Sequence, residues 1–528
     1  MITRTADAIV IGAGPNGLVA ANALADAGWD VLLVEAADEV GGAVRSAEVT
    51  APGFRTDLFS AFYPLAAASP VIAGLDLHRH GLEWSRAPAV LAHALDDGTG
   101  VVLESDPRAT AAGLDARTPG DGQAWLDLVA GWHRVRDDVL DALFAPFPPT
   151  AALVRLLRHA GTRGALDLAR LSVLPVRRLG VEQFRGTGGP LLLTGNAQHA
   201  DLPPDAAGSG LFGWLLAMLG QDVGFPVPRG GAEMLARALA DRFTAAGGEI
   251  ALRTRVSAVA VAGSRAVGVV TADGTRLRAR RAVVADVVAP TLYRDLVGPR
   301  HVPARVLADL ETFAWDHPTL KVNWALDGPV PWAATGPGRA GTVHLGVDLD
   351  GFVRVAADLA VGAVPQRPFL LFGQMTTADP ARSPLGTESA WAYTHLPHRP
   401  LDAGELRAHV GRVEEALERT APGFAARVLA RHVQTPADLE AADANLVGGA
   451  VNGGTAGLHQ QLVFRPTPGL GRPETPVAGL YLASASAHPG GGVHGACGWN
   501  AARAALADDG PTGAVRRLLA RTAWARLT

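Results

Sequence analysis

Ala8-Ile9-Val10-Ile11-Gly12-Ala13-Gly14-Pro15-Asn16-Gly17-Leu18-Val19-Ala20-Ala21 reads as a buried strand, a glycine turn and the start of a helix. Apolar residues in succession suit a central strand of a parallel sheet. Gly12 permits the tight turn, Gly14 lets the backbone approach a pyrophosphate, and Gly17 lets the helix pack close to the strand. The N–H groups of the first helical turn, where Pro15 and Asn16 lie, suit anionic phosphates with the help of the helix dipole. A second apolar run, Val31-Leu32-Leu33-Val34, ends on Glu35 and Ala36, and Glu35 has the spacing of a ribose-binding acid. An acid there favours an unphosphorylated ribose, as in FAD or NAD. Glu39-Val40-Gly41-Gly42-Ala43-Val44-Arg45-Ser46 adds a second glycine pair and an arginine. The plain alternative is a βαβ unit that holds no ligand.

At 528 residues the chain is too long for one compact core, so two or three domains are expected. With 48% hydrophobic and 19% charged residues the chain is an ordinary globular one, and a net charge of −4 offers nucleic acid no electrostatic attraction. Lys321 is the only lysine; the abundance of arginine, alanine and glycine suggests a GC-rich bacterial genome. One cysteine, Cys497, precludes an internal disulfide and a Cys-x-x-Cys redox pair, and points to a reducing, cytoplasmic setting. No run of about twenty uncharged apolar residues is present to span a bilayer. No metal site is expected, because the histidines are scattered and His78-Arg79-His80 lacks a spaced carboxylate partner.

Along the chain, Ala89–Ala94 and Val101–Glu104 flank a hairpin turn at Asp96-Asp97-Gly98. Trp125, Leu128, Val129, Trp132, Val135, Val139 and Leu143 recur at helical spacing until Pro146, Pro148 and Pro149 stop them. The next segment, from Leu153 to Leu171, is amphipathic. It reads as a cap packed on its own domain; the competing reading is a helix on a membrane surface, from which an apolar substrate enters. The stretch from Pro226 to Leu235 starts a helix that runs to about 246, followed by strands near 247–252, 255–261, 266–271, 276–279 and 282–286. A strand at 319–326, a helix at about 347–362, a strand at 369–374 and a helix from Leu406 to Arg419 follow. The expected division is a discontinuous dinucleotide domain at 1–75, 220–300 and 445–528, with a substrate domain and helical cap at 76–219 and 301–444.

Near the C-terminus, Gly479–Ser486 reads as a strand leading into His488-Pro489-Gly490-Gly491-Gly492-Val493-His494-Gly495-Ala496-Cys497-Gly498 and then a helix. This repeats the N-terminal device. Together with Gly12–Gly17, Glu35, Gly41-Gly42, Arg45 and the central Pro226-Val227-Pro228-Arg229-Gly230-Gly231, it resembles the phytoene-desaturase-like flavoproteins over nearly the whole chain. The fold implied is α/β: a two-domain FAD-binding flavoprotein of the amine oxidase/phytoene desaturase type, with a discontinuous Rossmann-like domain and a mixed-sheet, helical substrate domain.

The resemblance implies FAD as cofactor. Gly12, Gly14, Pro15, Asn16 and Gly17 would hold its pyrophosphate, Glu35 and Ala36 the adenosine ribose, and Gly42, Ala43 and Arg45 the pyrophosphate and ribityl chain. Val256 would hold adenine through backbone groups. Gly491, Gly492, Val493 and His494 would approach the flavin, as would Ser60 and Ala61 in the loop from Asp57. That loop carries Leu58-Phe59-Ser60 where the carotenoid desaturases have a small Gly-Pro turn, which weighs against a carotenoid. The implied activity is hydride transfer from a hydrophobic small molecule, an isoprenoid or secondary metabolite, to flavin N5, with O2 or a quinone as electron acceptor and peripheral membrane contact as an option. His488 and His494 are candidate bases or charge partners, the alternative being that they cap backbone. Lys321 lies on a strand comparable to the one whose lysine, in related amine oxidases, holds a water against flavin N5, the alternative being a lysine that snorkels to the surface. Two readings compete: a flavin amine oxidase, for which Trp499 and Tyr481 are the nearest aromatic candidates, and a non-enzymatic FAD-retaining binding protein. Cys497 reads as a packing residue.

Overall fold

The computed structural model describes residues 2–513 and 516. In chain order, β1 (Ile2–Ile11) leads through the glycine turn to α1 (Pro15–Asp26) and β2 (Val31–Val34). The hairpin β3 (Ala89–Ala94) and β4 (Gly100–Leu103) is followed by helices α2 (Asp121–Phe144), α3 (Thr150–Leu171), α4 (Gly188–Ala197) and α5 (Ser209–Asp222). Then come α6 (Glu233–Ala245), β5 (Glu249–Ala251), β6 (Val256–Ala262), β7 (Arg265–Thr271) and β8 (Arg276–Ala285). The chain continues through β9 (Thr319–Leu326), β10 (Ala340–Leu345), α7 (Leu349–Ala360), β11 (Leu370–Gln374) and β12 (Glu388–His395). It closes with α8 (Ala403–Thr420), β13 (Val428–Gln434), β14 (Leu480–Leu482) and α9 (Ala496–Asp509). The runs 276–279 and 282–286, expected as separate strands, form the single strand β8.

Two seven-stranded sheets result. The first has the order β6-β7-β8-β1-β2-β5, with β14 on the free edge of β8. Its parallel centre is apolar on both faces: Val10, Leu33 and Val284 face one core, Ile9, Leu32 and Val283 the other, as strand alternation requires. Helices α1, α6 and α9 cover the first of these faces. The second sheet, β13-β9-β12-β11-β10-β3-β4, is mixed. Residues 439–444, which the expected division places in the substrate domain, line the cleft of the first sheet together with Asn445 and Leu446.

The cap is a helical layer whose Trp125, Trp132 and Trp214 are buried with Leu191–Leu193, and Trp132 meets Trp214 edge-on at 5.5 Å. Helix α3 packs only in part. Ala152 and Leu156 are buried, whereas Leu157 and Leu166 are 56% and 63% exposed. Gly161, at φ 65°, breaks α3 midway. Among the described residues no helix is long and apolar enough to cross a membrane.

Candidate active site

The parallel register sets Ile11 opposite Ala285, so Asp286 comes to lie beside the glycine turn. Gly12 has φ 92°, and a Cβ on Gly17 would stand 2.0 Å from the Gly12 carbonyl oxygen. The Asp286 carboxylate accepts the Gly17 N–H at 2.9 Å, and a Cβ on Gly14 would stand 2.7 Å from its Oδ2. Glu35 is held at the end of β2 by the N–H groups of Ala13 (2.7 Å) and Ala37 (2.8 Å). Asn16 Oδ1 is buried without a partner.

From this turn a cavity of about 790 Å³ runs between the two sheets. Gly12, Gly14, Pro15, Asn16, Glu35 and Ala36 line it, as do Gly42, Ala43 and Arg45. Further along are Ser60, Ala61, Val256, Gly492 and Val493. Three expected ligands stand off the wall: Gly17 packs behind the turn, Gly491 backs onto Asn452, and His494 is buried below. Arg45 is pre-set by hydrogen bonds to the carbonyls of Gly42 and Ala442, both 2.8 Å, and lies over the Phe59 ring at 5.1 Å. The shape and lining fit a dinucleotide: glycines where side chains would collide, and two acceptors for its hydroxyls, the Glu35 carboxylate at the end of β2 and the unpartnered Asn16 Oδ1.

The second sheet forms the far wall. Its register aligns His93, His344, Leu371, Tyr393 and Lys321 in one cross-strand row, and directly paired residues share a face. Trp391 and Tyr393 stack with an interplanar angle of 16°, and Trp391 also meets Phe62 at 6.1 Å. Lys321 is 2% exposed, lies 5.1 Å over the Trp391 ring and donates to the carbonyls of Asp57 and Phe59. Burial pulls its ammonium down to about 7. Lys321 is thus tied to the loop that carries Ser60 and Ala61.

The two C-terminal histidines do not line the cavity. His494 Nδ1 accepts the Ala496 N–H at 3.0 Å at the start of α9, and its ring packs on Phe144. His488 packs edge-on against Phe147. Burial pushes both down to about 4, so they are neutral near pH 7. Neither ring thus lines the cavity, where a base would have to stand, and the His494 ring hydrogen-bonds the backbone at the start of α9. Cys497 is buried, its thiol pushed up to about 12 by desolvation. The aromatic expectation also shifts. Tyr481 donates to Asp508 at 2.9 Å in the core, Trp499 is off the cavity, and the aromatic wall is Phe62, Trp391 and Tyr393.

Asp286 was invisible to motif reasoning because only the β1–β8 register brings it to the turn. Burial, with lesser repulsion from Asp443 and Glu35, raises its carboxyl to about 7. Below that pH the neutral acid tolerates a neighbouring phosphate; above it the carboxylate repels one. FAD affinity of the apoprotein is therefore expected to fall about tenfold as pH rises from roughly 6 to 8. Asp286→Asn should flatten that dependence, as measured by quenching of FAD fluorescence; an equal slope in both proteins would refute the assignment.

A glycine-turn cleft that continues into an aromatic-walled chamber defines a dinucleotide-binding oxidoreductase of the two-domain flavoprotein class. Known proteins agree. The pattern of the NAD(P)-binding Rossmann-like domain matches residues 10–73, and that of flavin containing amine oxidoreductases matches 119–362. The chain is 30% identical to mouse pyridine nucleotide-disulfide oxidoreductase domain-containing protein 2, over 95% of this chain and 93% of that one. It is 24% identical to a component of the limonene dehydrogenase of Castellaniella defragrans, covering 96% and 95%. It is 25% identical to the neurosporene-forming phytoene desaturase of Rhodobacter capsulatus, covering 96% and 94%. The chain belongs to the phytoene-desaturase-like family of flavoproteins, which includes the mouse protein. It is an FAD-dependent oxidoreductase that acts on a small molecule and passes electrons to an acceptor.

Proposed function

We propose that the protein dehydrogenates a hydrophobic small molecule, of isoprenoid or secondary-metabolite type, with the first sheet's segments holding FAD and the second sheet holding substrate. One observation carries this reading: the second-sheet wall of the cavity is Thr319, Lys321, Thr342, Leu371, Trp391 and Tyr393, and holds no carboxylate. The hydroxyl oxygens of Thr319 and Thr342 are themselves buried. An alkylammonium substrate would find no counter-ion there, and the cation position over Trp391 is already taken by Lys321. This ranks the amine oxidase reading second.

Bound FAD supplies the hydride acceptor. The chain's own part is placement and exclusion of water. Trp391, Tyr393 and Leu371 offer an apolar face against which a C–H bond is oriented. Lys321 holds the loop at Asp57 and Phe59 and, titrating near neutrality, can give or take a proton at Nζ. O2 or a quinone completes the cycle. The exposed leucines of α3 suit a peripheral contact through which an apolar substrate arrives; sedimentation with anionic vesicles tests it, and binding unchanged by Leu157→Ser with Leu166→Ser would exclude that face.

The deciding experiment mixes the FAD-loaded protein anaerobically with terpene hydrocarbons, their oxygenated derivatives and primary amines, following flavin absorbance. Bleaching by the terpenoids and not by amines is expected; bleaching by amines alone would replace this reading with the amine oxidase one.

A further inference from the structure

We propose that His199 donates a hydrogen bond to an oxygen on the substrate, which is therefore an apolar molecule bearing a neutral carbonyl or hydroxyl group. The inference rests on the apolar-substrate reading above and names a subsite within that chamber.

His199, in the turn after α4, lines the cavity, and its Nε2 lies 2.9 Å from Nε2 of His344 on β10. Two ring nitrogens at that distance share one proton. The other nitrogen of His344, Nδ1, is buried without a partner. A proton there would be an orphaned buried N–H, which folded proteins avoid more strictly than an orphaned lone pair. His344 Nε2–H is thus the donor and His199 Nε2 the acceptor. The proton of neutral His199 then sits on Nδ1, the ring nitrogen left for a ligand. His93 follows the same logic: its Nε2–H donates to the Val347 carbonyl at 2.8 Å, and its Nδ1 is unpartnered.

The setting selects a neutral oxygen. Phe225 lies edge-on to His199, Phe369 to His344, and Phe352 tilts against His93. Burial holds His199 and His93 near 4 and His344 well below the usual imidazole range, so the three rings are uncharged near neutral pH. Asp201, two residues beyond His199 and 2.9 Å from His395, repels a carboxylate. His344 and Lys321 stand three strands apart in one row, about 14 Å. A substrate anchored at His199 therefore carries its oxygen away from the bond oxidised beside Lys321.

The test titrates FAD-loaded protein with a linear sesquiterpene hydrocarbon, long enough to span that row, and with the terminal ketone of the same skeleton, reading dissociation constants from the flavin spectrum. The ketone should bind about tenfold tighter to the wild type. His199→Phe should abolish that preference, read as the ratio of the two dissociation constants measured on the same variant. His344→Gln, whose amide can still donate to His199 Nε2, should keep the preference, and His344→Leu should lose it; each variant's retained FAD absorbance reports its fold. Equal affinities in the wild type, or a preference that survives His199→Phe, would overturn the proposal alone. Failure of both probes to bind would overturn it together with the apolar-substrate reading.

Discussion

Arg382→Met is expected to cost about 3–5 kcal/mol of stability, because it strands two buried carboxylates rather than removing one contact. The Arg382 side chain is fully buried, with Nε 2.9 Å from Asp379 and Nη1 2.9 Å from Asp57. A third bond reaches the Pro228 carbonyl at 3.1 Å. Asp57 Oδ1 also accepts from Ser46 (2.7 Å) and the Ala232 N–H (2.8 Å), and Asp379 accepts the Gly230 N–H (2.7 Å). One guanidinium thus locks the Asp57 loop to the turn before α6 and to the segment after β11. The Asp57 carbonyl also holds Lys321, so the same lesion should disturb the cavity. Urea unfolding of the FAD-loaded protein gives the measurement. Arg382→Lys, which keeps the charge but not the fork, should lose less. A loss below about 1 kcal/mol for the methionine variant would show that the network is solvated.

Gly17→Ala should weaken FAD binding about a hundredfold or more, the upper part of what overpacking costs. The added Cβ would meet a backbone oxygen, that of Gly12, at 2.0 Å, with the Asp286 Cβ at 3.2 Å behind it. Neither neighbour is the far end of a flexible side chain, so β1 and α1 must separate. That shift moves the Gly17 N–H off Asp286 and misplaces the turn on which the pyrophosphate rests. Equilibrium dialysis of apoprotein with FAD measures the effect, with Gly28→Ala as control, since nothing lies within 4 Å of a Cβ at that surface turn. Gly28 has φ 79°, so the control carries backbone strain without a clash at the cofactor. Equal affinities in the two variants would show that close packing at Gly17 is not what shapes the cofactor turn.

The nucleotide half was legible because its chemistry is written in local backbone geometry. The spacing of Gly12, Gly14 and Gly17 and the distance to Glu35 are properties of a strand, a turn and a helix, and need no partner from elsewhere. Helix and strand periodicity likewise carried α2, α6, α8 and the β3–β4 hairpin. Reading side chains near a motif as site residues was less secure. His488 and His494 sit in the glycine-rich stretch, yet the start of α9 turns the His494 ring onto its own backbone and leaves His488 against Phe147.

By itself the sequence determined that this chain would build a dinucleotide cleft from its first strand and return to it at its last, through short-range patterns that tolerate only one backbone course. The chamber beyond was decided by tertiary structure alone. His344, Leu371, Tyr393 and Lys321 come from four strands scattered over 73 positions, and only hydrogen-bond register sets them side by side. Asp286 meets Gly17, and Arg382 meets Asp57, across hundreds of residues for the same reason. Pairing is fixed by the packing of whole sheets, and a slip of one residue would turn every one of these side chains to the opposite face.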